Sequence, residues 1–176
     1  MIMNTSKIVS HKIHTSKGFT LVEVMVAMVI FSIGLLGLAG LQSLGLTNNQ
    51  TAFLRTTAMQ QAYNMADRMR NNIVAVDAGN YSALDEDIPA IGTNCVTTSC
   101  TPSQLANFDH FEWNTNNLAL LPLGHGTVTR SGDQMLICVM WNELKVGAAP
   151  AEPDCANPGA YNPTTEFKFY TLLVGL

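Results

Sequence analysis

From Val24 to Leu54 the sequence carries no charged side chain. About 20 apolar residues in a helix span the hydrocarbon of a bilayer, and this run is longer. A lone segment in lipid finds no water for its amides, so it must be helical. One carboxylate, Glu23, stands at the entrance of the run. An ionised residue in mid-span costs about 2.5–3.5 kcal/mol even on lenient insertion scales. At the helix start the cost is smaller, because the positive end of the helix dipole offsets part of it. A carboxylate in an apolar bundle still demands a cation close by.

The residues before the run, MIMNTSKIVSHKIHTSKG, are polar and basic, with Lys7, Lys12 and Lys17 and no acid. They lack the apolar centre and the small-residue cleavage site of an ordinary secretory signal. Three lysines ahead of the span place this leader in the cytoplasm and the rest of the chain outside it. His11 and His14 read as solvated leader residues. Beyond residue 18 there are six basic and thirteen acidic side chains. So acidic a chain lacks the clustered Lys and Arg that neutralise phosphate, and nucleic acid is not an expected partner.

Gly18-Phe19-Thr20-Leu21-Val22-Glu23, between a basic leader and an apolar helix, resembles the prepilin processing site of type IV pilins and pseudopilins. The resemblance implies that a prepilin peptidase cuts between Gly18 and Phe19 and methylates the new Phe19 amine. It also implies that Glu23 pairs with the Phe19 amine of a neighbouring subunit in a filament.

Gly34, Gly37 and Gly40 lie three apart along the span, with Gly45 beyond them. Each mid-helix glycine costs about 1 kcal/mol relative to alanine. Small residues on one side let another helix approach closely. From Thr47 the character changes. Leu54, Ala58, Ala62, Met65, Met69 and Ile73 recur at three and four residues, which predicts one buried helical face. Met in that stripe reads as core filler rather than as a metal or redox device. One helix is expected from about Thr20 to Asn72, near 80 Å long at about 1.5 Å per residue.

Residues 73–101 read as loop, punctuated by Asp77, Gly79, Asn80, Pro89, Gly92 and Asn94. Asp85-Glu86-Asp87 reads as a solvated turn, since three consecutive acids are not the spaced ligand set of a calcium loop. Thr101-Pro102-Ser103-Gln104 combines a cap, a first-turn proline and a capping-box glutamine, and predicts a short helix over 102–113. Leu105, Phe108 and Phe111 or Glu112 define its sides, with Trp113 as a core anchor. The remainder predicts an antiparallel sheet. Residues 126–130 form a strand and Ser131-Gly132-Asp133 a turn. Residues 134–141, apolar on both faces, form a central strand. A long Pro-rich loop over 142–163 and a closing strand over 165–173 follow. His125, between two glycines, reads as a turn residue.

Cys95, Cys100, Cys138 and Cys155 make an even count outside the cytoplasm, which favours disulfides. Of the three connectivities, the local one is preferred: Cys95–Cys100 and Cys138–Cys155. Closing a loop the size of the second is worth about 3 kcal/mol in the chain-entropy model. The alternative, a zinc site of four thiolates, lacks the usual paired short spacings. A catalytic cysteine with His110 or His125 would need a free thiol.

The head refines the resemblance. Cys100-Thr-Pro-Ser-Gln-Leu-Ala-Asn-Phe-Asp109, Glu112-Trp113, Leu121-Pro-Leu-Gly-His-Gly126, the strand ending Met140-Trp141, and Ala66-Asp67-Arg68-Met69-Arg70 together resemble the minor pilins of the PilV family, the type IV pilus modification proteins. This implies an α+β, type IV pilin-like fold: a long N-terminal helix, half membrane and half amphipathic, packed on a small antiparallel sheet with a short extra helix. The organisation expected is a leader (1–18), a transmembrane or filament-core helix half (19–46), an amphipathic helix half (47–72) and a globular head (73–176). The family implies a non-enzymatic subunit without cofactor, which primes or modifies pilus assembly in a tip complex. Its partners would be the peptidase, other minor pilins and the major pilin through the N-terminal helix. It would sit in the inner membrane by a single pass, head in the periplasm, and then in the extracellular pilus. A minor pseudopilin of type II secretion shares the N-terminus and is the alternative. A membrane-anchored enzyme or sensor is a third reading, but no nucleophile elbow, metal-ligand spacing or phosphate loop supports it.

Overall fold

The computed structural model describes residues 18–143 and 167–175. The expectations placed on residues 1–17, on the loop from 144, on Cys155 and on Thr165 and Glu166 lie outside the described residues. The chain divides at Leu46/Thr47 into two compact units.

Helix α1 runs from Leu21 to Asn71. In the first unit it is the only element, and every residue of it is exposed. This part is long and apolar enough to cross a membrane. A Cβ added at Gly34, Gly37 or Gly40 would meet nothing within 4 Å. The chain's own fold therefore does not require glycine there.

In the second unit the expected stripe of α1 forms the core. Leu54, Ala58, Ala62, Met65 and Met69 are buried. Ile73 is not, at 43 % exposed. The helix has ended at Asn71, and Ile73 opens a separate short helix, α2 (Ile73–Asp77). Residues 73–101 are thus not all loop. Besides α2 they contain a two-residue strand, β1 (Ala83–Leu84), whose Leu84 packs against the core.

Helix α3 (Pro102–Leu120) begins as the sequence predicts. The Thr101 hydroxyl accepts from the Gln104 backbone N–H, and the Gln104 side chain accepts from the Thr101 N–H. The helix extends well past 113, the expected end. Its continuation holds because Ala106, His110, Asn114, Asn117 and Leu121, spaced at three and four, are all buried, with Trp113 buried beside them. Tertiary packing overrides the modest helix propensity of Asn-Thr-Asn-Asn. The Trp113 indole donates to the Gln61 carbonyl at 2.9 Å, tying α3 to α1.

The remaining strands are β2 (His125–Ser131), β3 (Gln134–Asn142) and β4 (Phe167–Gly175). With β1 they make a four-stranded sheet in the order β1-β2-β3-β4, antiparallel throughout. β2 and β3 join through a two-residue loop, Gly132-Asp133, with Ser131 opposite Gln134. Gly132 has φ +63, the positive φ that a type II′ turn needs at its first central residue. β3 is paired on both sides, as its apolar composition predicts. Met135, Ile137, Val139 and Trp141 face the α1 stripe, whereas Cys138 and Met140 form a second buried cluster with Phe169. His125 is the first residue of β2, not part of a turn. Its Nδ1 lies 2.9 Å from the Glu86 carbonyl oxygen. The architecture is α+β: a long N-terminal helix packed on a small antiparallel sheet, with a further helix longer than expected.

Candidate functional site

The residues singled out for processing and assembly lie at the start of α1. Gly18 and Phe19 precede the helix and are exposed, Phe19 at 82 %. The peptide bond between them is therefore open to a visiting enzyme. A Cβ at Gly18 would meet no atom within 4 Å. Any demand for glycine at this position belongs to what reads the site, not to the fold.

Thr20 caps α1. Its carbonyl accepts from the N–H groups of Glu23 and Val24, at 3.1 and 3.3 Å. Its hydroxyl also accepts from the Glu23 N–H, at 3.3 Å. Thr20 and Glu23 have capping-box spacing. The threonine half of that box is made. No hydrogen bond or ion pair engages the Glu23 carboxylate among the described residues. It lies instead in a shallow apolar groove of about 610 Å³, lined by Phe19, Val24, Ala27, Met28 and Phe31. Phe19, Glu23, Ala27 and Phe31 recur every four residues, so they share one helix face. The geometry presents a single acid, in greasy surroundings, one turn inside the helix start. The helix dipole favours an anion there, and a desolvated carboxylate favours a cationic partner.

The head has two polar clusters that sequence reading did not find. In the first, Arg68 on α1 bonds Asp109 at 2.8 Å and Glu112 at 2.9 Å, both on α3. The Tyr81 hydroxyl donates to the other Asp109 oxygen and accepts from the Asn72 side-chain amide. Burial, and then the Asp109 carboxylate, push the Tyr81 phenol well above its ordinary pKa. In the second, Asn114 is fully buried. Its amide nitrogen lies 3.0–3.1 Å from the carbonyls of Asp85, Asp87 and Gly126. Its oxygen accepts from the Gly126 N–H at 2.8 Å. His110 Nε2 lies 3.0 Å from the Asp85 carbonyl. The Asp85-Glu86-Asp87 segment is therefore no free solvated turn. The Asp85 and Asp87 side chains are exposed and Glu86 is half-buried, but the backbone is bound by His110, Asn114 and His125. These clusters join elements together, and their members are partnered to one another. The signal for the second was the period of α3: His110, Asn114 and Asn117 stand in register with Trp113, so a polar ladder was written into an otherwise apolar face.

Cys95 and Cys100 form a disulfide with a Cα–Cα distance of 5.5 Å, next to the Thr101 cap. No cysteine among the described residues is free. Cys138 is buried in β3, and its expected partner Cys155 lies outside the described residues. Among the described residues, no group of three or more His, Cys, Asp or Glu side chains could hold a metal ion.

Residues 13–39 match the prokaryotic N-terminal methylation motif, a prepilin signal of type IV pilins and pseudopilins. The match covers Gly18, Phe19, Glu23 and much of the apolar run, and supports a type IV pilin-like protein. It implies processing by a prepilin peptidase and assembly with other pilins. With the long apolar helix, it fits an inner-membrane anchor. No curated protein and no solved structure gives a significant match to the chain.

Proposed function

We propose that this chain is a minor pilin of the type IV pilus, a subunit that primes or modifies assembly in a tip complex with other minor pilins. The prepilin peptidase cuts between Gly18 and Phe19 and methylates the Phe19 amine. Glu23 then pairs with the Phe19 amine of the next subunit as the helices gather. The chain crosses the inner membrane once, with the leader in the cytoplasm and the head in the periplasm, and afterwards enters the pilus. It is not an enzyme, and its head is held by Cys95–Cys100 and Cys138–Cys155.

One observation carries this reading: an unpartnered carboxylate one turn inside the exposed start of a membrane-length helix. A monomer leaves that charge uncompensated, and a filament supplies the missing cation. The head motifs favour a minor pilin of the PilV type. The motif over residues 13–39 is equally compatible with a minor pseudopilin of type II secretion.

Quantitative mass spectrometry of sheared surface filaments, with pilus counts and secretion assays in a strain lacking the chain, tests the proposal. A minor pilin is present far below the major subunit, and its loss lowers pilus number while type II secretion continues. Loss of secretion with normal pili would instead select the pseudopilin reading. Gly18→Ala should leave the leader attached.

A further inference from the structure

Within the second unit, one flank of the α1 stripe meets the last strand of the sheet around a cleft. Arg55, Thr56 and Met59 of α1, Trp141 of β3, and Phe169 and Tyr170 of β4 line about 420 Å³. All six belong to the unit that runs from Thr47 to Leu176. Four of them carry polar groups, and two of those are engaged. The Thr56 hydroxyl donates to the Ala52 carbonyl at 2.9 Å, and the Tyr170 hydroxyl bonds that of Tyr63. The other two are unmet. Trp141 is 1 % exposed, and its Nε1–H is buried without a hydrogen-bond partner among the described residues. Arg55 is exposed and makes no hydrogen bond or ion pair among them.

Groups of the same kind elsewhere in the head are satisfied. The Trp113 indole has the Gln61 carbonyl, and Arg68 and Arg70 hold carboxylates of their own chain. A buried donor left without a partner is rare in a native fold. An indole N–H and a guanidinium can only donate, so what completes the cleft is an acceptor. The guanidinium charge makes that acceptor an anion, and its planar fork matches a carboxylate. Met59, Phe169, Tyr170 and the indole ring give the cleft apolar walls for the carbon stem of such a group. With thirteen acids against six bases beyond residue 18, the surface repels a polyphosphate and spares one cation for a single acid. The prepilin motif implies assembly with other pilins, so a carboxylate on a polypeptide is what this surface meets.

We propose that this cleft receives the side-chain carboxylate of an aspartate or glutamate from a neighbouring subunit, with Arg55 as its counter-ion and the Trp141 N–H as a second donor. The contact belongs to the head and is separate from the Glu23 pairing. It needs the chain to assemble with other subunits, and it holds equally for a pilus and for a secretion pseudopilus.

The test has two arms. In the first, the isotope-labelled full chain in detergent is titrated with acetylglutamic acid amide or with its glutamine counterpart. The two tryptophans give two indole N–H resonances, and Trp141→Phe identifies the one to follow. The acid should shift the Trp141 resonance saturably and leave that of Trp113 in place. The glutamine compound should not, and Arg55→Gln should weaken the response several-fold. No shift with the acid, or an equal shift with the glutamine compound or in Arg55→Gln, overturns the inference. The second arm finds the source of the carboxylate. Membranes of cells producing the full chain with Arg55→Lys are treated with a carbodiimide, which joins a lysine directly to a carboxylate paired with it. Mass spectrometry should find residue 55 linked to an aspartate or glutamate of another subunit, and no such link in Arg55→Gln. A link to an acid of the same molecule, at monomer mass, overturns the inference. A Trp141 shift in the first arm with no protein link in the second points to a free small carboxylate and also overturns it. Pilus counts and secretion assays decide the assembly reading separately, so the two can fail independently.

Discussion

The Thr20 hydroxyl accepts the backbone N–H of Glu23 at 3.3 Å, while the Glu23 carboxylate engages nothing among the described residues. Threonine caps the helix, and the acid one turn in stands without a partner among the described residues. Glu23→Gln keeps the shape and the threonine cap while removing the charge. Membrane insertion should be unchanged. Breaking a desolvated ion pair costs about 3–5 kcal/mol, so incorporation into filaments should fall more than about tenfold. Immunoblots of membrane and sheared-filament fractions measure both, and normal incorporation would remove the charge-pairing role.

Two arginines two residues apart on α1, on nearly opposite sides of the helix, should behave differently. Arg68 is mostly covered and holds Asp109, whose side chain is only 8 % exposed. Arg70 pairs with Asp67 in the open, at 52 and 69 % side-chain exposure. Arg68→Ala leaves a buried carboxylate short of its donor and should cost about 1.5–3 kcal/mol. Arg70→Ala should cost no more than about 1 kcal/mol. Denaturant unfolding of the two variants in detergent, followed by far-UV circular dichroism, checks the contrast.

Gly126 lies against the Trp113 ring. A Cβ there would fall 2.3 Å from Cη2 of the indole and 2.7 Å from the Asn117 amide nitrogen. Gly126→Ala should therefore destabilise the head by about 1–3 kcal/mol through overpacking and red-shift or broaden the Trp emission. Gly92→Ala, where the nearest atom is at 3.9 Å, is the control and should leave the emission unchanged.

These cases show where sequence reading reached and where it stopped. The α3 start was legible because a capping box is local: Thr101 and Gln104 satisfy each other across three residues. The central place of β3 was legible because an apolar run on both faces has to be covered twice. Asn114 was not legible as a lock, because its partners at 85, 87 and 126 are brought to it by the fold. Extending α3 to Leu120 needed the same information, since Asn-Thr-Asn-Asn is poor helix sequence until Asn114 and Asn117 are buried. β1 was missed because two residues carry no alternation to read. At the N-terminus the methylation motif and the long apolar helix were legible. A lone acid beside an apolar run is a physical anomaly that needs no tertiary contact to be seen.

The Tyr81–Asp109 contact predicts an alkaline limit to stability. The folded-state pKa of Tyr81 lies above its unfolded value, through burial first and the neighbouring carboxylate second. The neutral phenol is favoured in the folded chain. Its contribution is complete below the unfolded pKa, about 10, and is lost as pH rises from there toward the folded value. Stability should fall with pH above about 10, more steeply in the native chain than in Tyr81→Phe. That variant should itself lose about 1 kcal/mol at neutral pH with the hydrogen bond. Thermal unfolding from pH 7 to pH 11 measures both.

The most direct measurement is mass analysis of the N-terminal peptide of this chain from sheared surface filaments. A peptide that begins at Phe19 and carries a methyl group on its amine is the predicted result. Intact chain in those filaments that still begins with the 18-residue leader would contradict it, because Glu23 would then have no liberated amine to meet.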